Sequence, residues 1–359
     1  MEDRIRQVTI QYDTKIIDAL RKMDSVDRKL LILEKGDRFF SLVSIGDIQR
    51  AIIKNVDLNS PVYKIVREDI KVANKMDTFE KIKNTMLKYR MEFLPVVEDG
   101  KIYDVYFWED VIGSTKERFV GTIDVPVIVM AGGRGTRLKP ITNVIPKPLI
   151  PIGDKSMLEI IFDRFGKYGV KNFYLSVNYK YEMIQYYLSQ LNLKDINIEY
   201  IIEDKPLGTA GSLSLMKDKI PERCFITNCD IIINQDYKEL LDYHIENRSV
   251  LTVIGVLKSE EIPYGVIEKD GNGNIFKIDE KPVRVYIVNS GMYIIEKKAL
   301  EYIPKDTLFD MTDLVKVLID SGEKVSYFPV SENSWFDIGE WDKYQKVLVE
   351  YETLRRVFE

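Results

Sequence analysis

Apolar and polar positions fall into two different patterns along this chain. From residue 125 onward, short apolar runs alternate with amphipathic ones. Val125-Pro-Val-Ile-Val-Met130 is brief and rich in β-branched residues, which predicts a buried strand. Met157, Leu158, Ile160, Ile161 and Phe165 recur at helical spacing. A strand is expected over Asn172 to Val177, a helix over Tyr181 to Leu191 and a strand over Ile198 to Glu203. Phe225-Ile-Thr-Asn-Cys229 reads as a strand running up to Asp230, followed by a helix from Tyr237 to Asn247 and, near the end, one from Trp341 to Tyr351. Such alternation predicts an α/β domain, with a mainly parallel sheet covered on both faces and ligands at the C-terminal ends of its strands. Asp270-Gly-Asn-Gly-Asn274 is a turn signal between two shorter strands, so the sheet should be mixed.

The first 120 residues repeat at an offset of 63. Ile16 matches Phe79, Met23 matches Met86, Leu31 matches Leu94, Leu33 matches Val96, Asp47 matches Asp110 and Ile48 matches Val111. Each copy (about 1–58 and 62–115) reads helix, apolar strand, polar hairpin, strand, helix, with Leu30-Leu-Ile-Leu33 and Phe93-Leu-Pro-Val-Val97 as the buried strands. Two copies are too few for a solenoid, so they should pack as a pseudo-symmetric pair. Glu109 to Pro126, with Gly113-Ser-Thr and Lys116-Glu-Arg118, lacks apolar periodicity and reads as a linker to a second domain over 123–359.

Composition narrows the possibilities. At 359 residues the chain is long enough for two or three domains. Residues 1–120 carry 22 Lys+Arg against 21 Asp+Glu and the remainder 30 against 36, so neither part has the basic excess of a nucleic-acid binder. No 18-residue apolar run and no signal-peptide core are present, so no membrane span is expected and a cytoplasmic location follows. Cys224 and Cys229, on one expected strand, point to opposite faces and read as buried structural thiols. The lone histidine, His244, is expected as a surface or half-buried helix residue.

The candidate chemistry begins where the Val125–Met130 strand ends. Ala131, Gly132, Gly133, Gly135 and Thr136 form a loop in which backbone amides can surround phosphate oxygens, and Arg137 and Lys147 add fixed positive charge. The spacing fits neither a Walker A loop nor the dinucleotide fingerprint. Asp230, at the end of a central strand, is a hard oxygen ligand suited to Mg²⁺, and Trp335-Phe-Asp337-Ile-Gly339 offers a second carboxylate. Ser44-Ile-Gly-Asp47 places a hydroxyl and a carboxylate one helical turn apart; such a pair can bind ribose, and it is equally a helix N-cap pattern. The second copy has Phe107-Trp-Glu-Asp110 instead.

Gly-Gly-x-Gly-Thr-Arg-Leu-x-Pro followed by Pro-Lys-Pro-Leu-x-Pro closely resembles the signature of the sugar-1-phosphate nucleotidyltransferases. The resemblance implies a Rossmann-like nucleotidyltransferase domain with Arg137, Lys147 and Lys281 acting on phosphates and with Mg²⁺ on Asp230 and Asp337. Glu203-Asp-Lys-Pro-Leu-Gly208-Thr209-Ala-Gly211 resembles the family's base-recognition loop. Gly265, Glu280-Lys281-Pro282 and Asn289-Ser-Gly291 resemble its sugar-site strings. The N-terminal repeat resembles a tandem CBS pair, which implies AMP or ATP at one site through Ser44 and Asp47, and a homo-oligomer.

The expected reaction is transfer of a nucleotidyl group to a sugar-1-phosphate with release of pyrophosphate. Glu203 as a carboxylate acceptor suits the adjacent N1–H and N2–H₂ donors of guanine, which favours GTP. A CBS pair ahead of the transferase resembles the glucosamine-1-phosphate guanylyltransferases of legionaminic acid synthesis. Mannose-1-phosphate guanylyl transfer, or uridylyl or thymidylyl transfer, is the alternative, and a non-catalytic adenine-nucleotide sensor is the alternative of another class. The end at Glu359 soon after the last helix leads us to expect no hexapeptide-repeat acyltransferase domain.

Overall fold

A computed structural model describes residues 2–89, 91–111, 121–193 and 195–358. The chain divides into two compact units, Met1–Phe119 and Val120–Glu359. The linker strings Gly113-Ser-Thr and Lys116-Glu-Arg118 lie outside the described residues.

In the first unit, Thr9–Gln11 lies parallel to Leu30–Lys35, which pairs antiparallel with Arg38–Ser44. The second half holds the hairpin Phe93–Glu98 with Lys101–Phe107. Leu30 opposite Ser44 has its counterpart in Phe93 opposite Phe107, and Ile10 opposite Leu33 in the isolated bridge Ala73 to Val96. Each counterpart lies 63 residues further on. Ser44 caps the helix Ile45–Ile53 through a capping box with Asp47. The buried Asp47 carboxylate also takes Arg50 at 2.5 Å and Arg67 at 2.8 Å, so its acceptor capacity is committed within the unit. In the second half, Arg4 lies 4.1 Å from the centre of the buried Phe107 ring and 3.0 Å from Asp110.

The second unit is built on a seven-stranded sheet in the spatial order Asn197–Ile202, Asn172–Val177, Val127–Met130, Arg223–Asn228, Val283–Glu296, Leu251–Glu261, Val325–Ser331. Neighbours are parallel except where Val283–Glu296 runs against both of its partners, so the sheet is mixed and mainly parallel. Ser156 and Glu159 form a capping box that starts the helix Met157–Gly166. That helix packs Phe162 and Phe165 onto Phe173 and Phe225 with T-shaped ring contacts. Met130 is level with Ser176 and Asn228 in register, so the segments following these three strands leave the sheet at one edge.

Three expectations are corrected. His244 is fully buried, because it continues the inward stripe Tyr237, Leu240, Leu241 of the helix Tyr237–Asn247. Its ring bonds Thr252 Oγ1 at 2.7 Å and Glu296 Oε1 at 3.1 Å, and burial pushes its pKa below the ordinary value despite the carboxylate. Cys229 lies just past the strand that holds Cys224; both thiols are free and buried, and burial raises both pKa values, that of Cys229 to about 12. The last helix runs on to Phe358. No described helix is long and apolar enough to cross a membrane.

Candidate active site

The glycine loop folds back on itself as it leaves the Val127–Met130 strand. Ala131 donates its amide to Ser176 O at 2.8 Å, and Gly133 stands open with nothing within 4 Å of where a Cβ would be. Gly135 has φ 61°, and a Cβ there would lie 2.8 Å from Thr142 Cγ2 and 3.1 Å from Lys147 Cβ. Only glycine permits that turn and that approach. The loop therefore lies directly against Lys147, with Thr136 exposed at its tip. It is braced from outside by Thr142 Oγ1 donating to Gly135 O at 2.9 Å, Tyr179 Oη to Thr142 O at 3.2 Å and Lys180 Nζ to Val144 O at 2.8 Å.

Asp230 and Asp337 are brought together by a short antiparallel pairing in which Ile231 faces Asp337 across Ile231–Ile233 and Trp335–Asp337. Gly339 closes the arrangement: a Cβ there would collide with Asp230 Oδ2 and lie 3.0 Å from both Asp337 Oδ1 and Lys147 Nζ. Two carboxylates and a lysine thus converge on one point beside the glycine loop. Lys147 is ion-paired to Asp230, the two side chains being only 12% and 6% exposed. Asp337 is half-buried, which raises its pKa, but Lys343 Nζ at 2.7 Å, the Gly339 amide at 3.0 Å and the charge of Arg137 outweigh burial and hold the carboxyl below its usual range. Arg137 points outward from the loop and pairs with Glu340 at 2.7 Å.

Asp230 and Asp337 supply two carboxylates, and Mg²⁺ in phosphate sites takes one or two carboxylates with the phosphates and rarely has an all-protein cage. The residues fit that ion. Among the described residues, no group of three or more His, Cys, Asp or Glu forms such a cage.

Glu203 sits at the same edge, and its carboxylate is spoken for. Oε1 accepts from Ser176 Oγ at 2.6 Å and Oε2 from the Leu207 amide at 3.1 Å, leaving the residue 7% exposed. Gly132 lies against it, 2.9 Å from Oε1 to a would-be Cβ. Glu203 therefore sets the path of the following loop. Gly208 and Thr209 are held at the other end: a Cβ on Gly208 (φ 79°) would meet Phe309 O at 2.7 Å, and Thr209 donates its amide and hydroxyl to Asp310 Oδ1 at 2.9 and 3.1 Å.

The residues matched to the sugar site are less gathered. Gly265 and Glu280 meet on the ribbon Val266–Lys269 with Ile275–Asp279, where a Cβ on Gly265 would be 3.0 Å from Glu280 Oε2. Lys281 follows, exposed, with φ 44°. Asn289 accepts from the Gly291 amide at 3.0 Å and donates to Tyr293 Oη at 2.6 Å. Gly291 packs against Asn228, two residues before Asp230. No hydrogen bond or ion pair among the described residues joins Gly265, Glu280 or Lys281 to the glycine loop or the two aspartates.

Lys343, Gly339, Ser176 and Asn178 (whose Nδ2 donates to Glu203 O at 2.5 Å) were not anticipated from the sequence. Lys343 had a legible signal, a cation in the first turn of the helix that follows Asp337. Ser176 and Asn178 had none, because only the parallel pairing of Ile201 with Ser176 brings their strand end beside Glu203.

Residues 126–353 match the Nucleotidyl transferase family. The chain is 34% identical over 221 residues to the mannose-1-phosphate guanylyltransferase catalytic subunit beta of Dictyostelium discoideum, covering 59% of this chain and 60% of that protein. It is 30% identical over 241 residues to a UTP–glucose-1-phosphate uridylyltransferase of Synechocystis, covering 62% of each. The chain thus spans about 60% of the length of these curated relatives. The crystal structure of HddC from Yersinia pseudotuberculosis aligns with a TM-score of 0.49 at 29% identity, covering 63% of this chain and 99% of that one. The matched stretch holds the glycine loop, both aspartates and the lysine between them, and by it this chain belongs to the nucleotidyl transferase family.

Proposed function

We propose that the Val120–Glu359 unit transfers a nucleotidyl group from a nucleoside triphosphate to a sugar-1-phosphate. The observation that carries this reading is the convergence of Lys147, Asp230 and Asp337 on Gly339, beside a loop whose amides can take phosphate oxygens. The second pKa of a phosphate monoester is about 6, so a sugar-1-phosphate is mostly a dianion at neutral pH and needs no general base. One of its oxygens attacks the α-phosphorus in line. The new P–O bond forms as the α–β bridging bond breaks, and pyrophosphate leaves with the electron pair. The protein's task is to position the reactants and neutralise crowded negative charge.

Each residue has a part in that task. The amides of Gly132, Gly133 and Gly135 hold the polyphosphate. Lys147, between loop and carboxylates, faces the reacting phosphoryl group, and Arg137 reaches the outer phosphates by leaving Glu340. Asp230 and Asp337 would hold Mg²⁺, which when bound would supply positive charge against the crowded phosphates. Glu203 orders the loop to Gly208 and Thr209 that borders the base. Gly265, Glu280, Lys281 and Asn289 line the approach of the sugar phosphate.

We favour GTP, because mannose-1-phosphate guanylyltransferases recur among the relatives, although a uridylyltransferase stands beside them at similar identity. Glucosamine-1-phosphate is the first candidate acceptor and mannose-1-phosphate the second. A catalytically silent scaffold is disfavoured, because both acidic residues and the loop lysine are in place. Pyrophosphate release that requires both substrates and Mg²⁺ supports the proposal; release from the triphosphate alone would point to a hydrolase instead.

For the Met1–Phe119 unit we propose a tandem CBS pair that takes AMP or ATP at one site. A ribose reaching Asp47 would exchange with Arg67, whose guanidinium then lies free for a phosphate. Arg4 over Phe107 fills the corresponding place in the second half.

A further inference from the structure

Four charged side chains of alternating sign run in a continuous chain beside the glycine loop. Arg137 Nη1 pairs with Glu340 Oε1 at 2.7 Å, Glu340 Oε2 lies 3.6 Å from Lys343 Nζ, and Lys343 Nζ pairs with Asp337 Oδ2 at 2.7 Å. Both middle members, Glu340 and Lys343, thus have a second partner within reach. They are three residues apart where the helix Trp341–Phe358 begins, and each is 43% exposed. Side chains at that spacing meet without movement of the backbone, and an exposed lysine on its flexible stem exchanges partners at little cost. Asp337 has a fixed neighbour as well: the Gly339 amide donates to Oδ1 at 3.0 Å, so the carboxylate keeps its place when the lysine leaves.

We propose that Lys343 moves between Asp337 and Glu340, so that a triphosphate taking Arg137 uncovers Asp337 for the metal. Lys343 and a divalent cation compete for the same oxygen, Asp337 Oδ2, because Oδ1 faces the Gly339 amide. Arg137 turning to a phosphate leaves Glu340 uncompensated beside a polyanion, where like charges repel. One movement answers both demands: Lys343 closes the 3.6 Å gap to Glu340, neutralises it and frees Asp337. The linkage is reciprocal, since a cation that displaces Lys343 onto Glu340 also releases Arg137 for phosphate. Lys343 and Glu340 are then positioning residues, acting through Asp337 and Arg137 and not on the reacting atoms. The inference rests on the roles proposed above for Arg137 and Asp337.

Binding of Mn²⁺, used in place of Mg²⁺, to the nucleotide-free full chain tests this, with the free ion followed by electron paramagnetic resonance. No turnover is measured, so the exchange can fail while the proposed reaction stands. Lys343→Gln should tighten Mn²⁺ binding at least ~10-fold by removing the competing charge, and adding Asp337→Asn should abolish that gain. Arg137→Ala should tighten it too, because Glu340 is then open to Lys343, and adding Glu340→Gln should cancel the effect. In the Lys343→Gln background, Arg137→Ala should add nothing, the non-additivity expected of residues acting through one shared element. Arg137, Glu340 and Lys343 are all exposed, so these substitutions leave the fold intact. Unchanged Mn²⁺ affinity in Lys343→Gln overturns the proposal. So does an equal gain from Arg137→Ala with and without Lys343, which is through-space charge alone. A Lys343→Gln gain that survives Asp337→Asn lies at another site and overturns it as well.

Discussion

Lys147 and Asp230 are 83 residues apart in sequence and form an ion pair that is nearly closed to water. Breaking such a pair from one side leaves a buried charge uncompensated, at a cost of ~3–5 kcal/mol. We predict that Lys147→Ala loses both activity and thermal stability. Adding Asp230→Asn to it should restore most of the stability and none of the activity. Urea midpoints for the two single variants and the double variant check this; a double variant as unstable as Lys147→Ala would show that the pair is not coupled in the fold.

Asp230→Asn and Asp337→Asn should each cut turnover by at least ~10²-fold, as loss of a preorganised electrostatic group typically does. Lys343 is 43% exposed, so Asp337→Asn should fold with near-normal stability, whereas Asp230→Asn leaves the Lys147 charge uncompensated and should also lower the urea midpoint. Near-normal Mg²⁺-dependent turnover in either variant would remove that residue from the metal assignment.

Arg137 is exposed and pairs with the equally accessible Glu340, so its removal should act on substrate and not on the fold. Arg137→Ala should raise the KM for the triphosphate with an unchanged melting temperature. An unchanged KM would place Arg137 outside the cradle.

Glu203 shows how far a sequence can be read. Its position at a strand end and the glycines after it were legible, because an apolar run and a turn signal bracket it. Its hydrogen-bond partners were not, because Ser176 and the Leu207 amide reach it only in the folded sheet. Glu203→Gln should therefore weaken GTP and UTP alike, by ~1–3 kcal/mol each, the scale of a disturbed buried hydrogen bond. Comparing kcat/KM for the two triphosphates decides: a loss confined to GTP would make Glu203 a reader of the base. The glycine loop and the two aspartates were legible for the opposite reason, since local backbone demands and a strand end mark them. Gly339 meets Asp230 and Lys147 from more than 100 residues away, and nothing local announces that meeting.

His244 misled by rarity: a single histidine in a charged helix looked peripheral, yet Tyr237, Leu240, Leu241 and His244 form an inward stripe. Its folded pKa is depressed, so the stability it contributes is present above the unfolded value of about 6.5 and is lost as pH falls below it. Denaturant midpoints should drop between pH 7.5 and 5.5, and His244→Gln should flatten that drop. The same slope in the variant would assign the pH dependence to other groups.

For the Met1–Phe119 unit, titration calorimetry of AMP into the full chain should show one site per chain, weakened by Ser44→Ala. No heat at millimolar AMP would leave Ser44 and Asp47 as the helix cap they form in the structure.

The central claim is nucleotidyl transfer to a sugar-1-phosphate, and the most direct measurement is mass spectrometry of the product. The full chain with Mg²⁺ is incubated with each of GTP, UTP, dTTP, CTP and ATP against glucosamine-1-phosphate, mannose-1-phosphate and glucose-1-phosphate. The account predicts a nucleotide-sugar and equimolar pyrophosphate, with GTP the preferred donor. Nucleotide-sugar formed equally from UTP would contradict the guanylyl assignment, and its absence from every pair would contradict the claim itself.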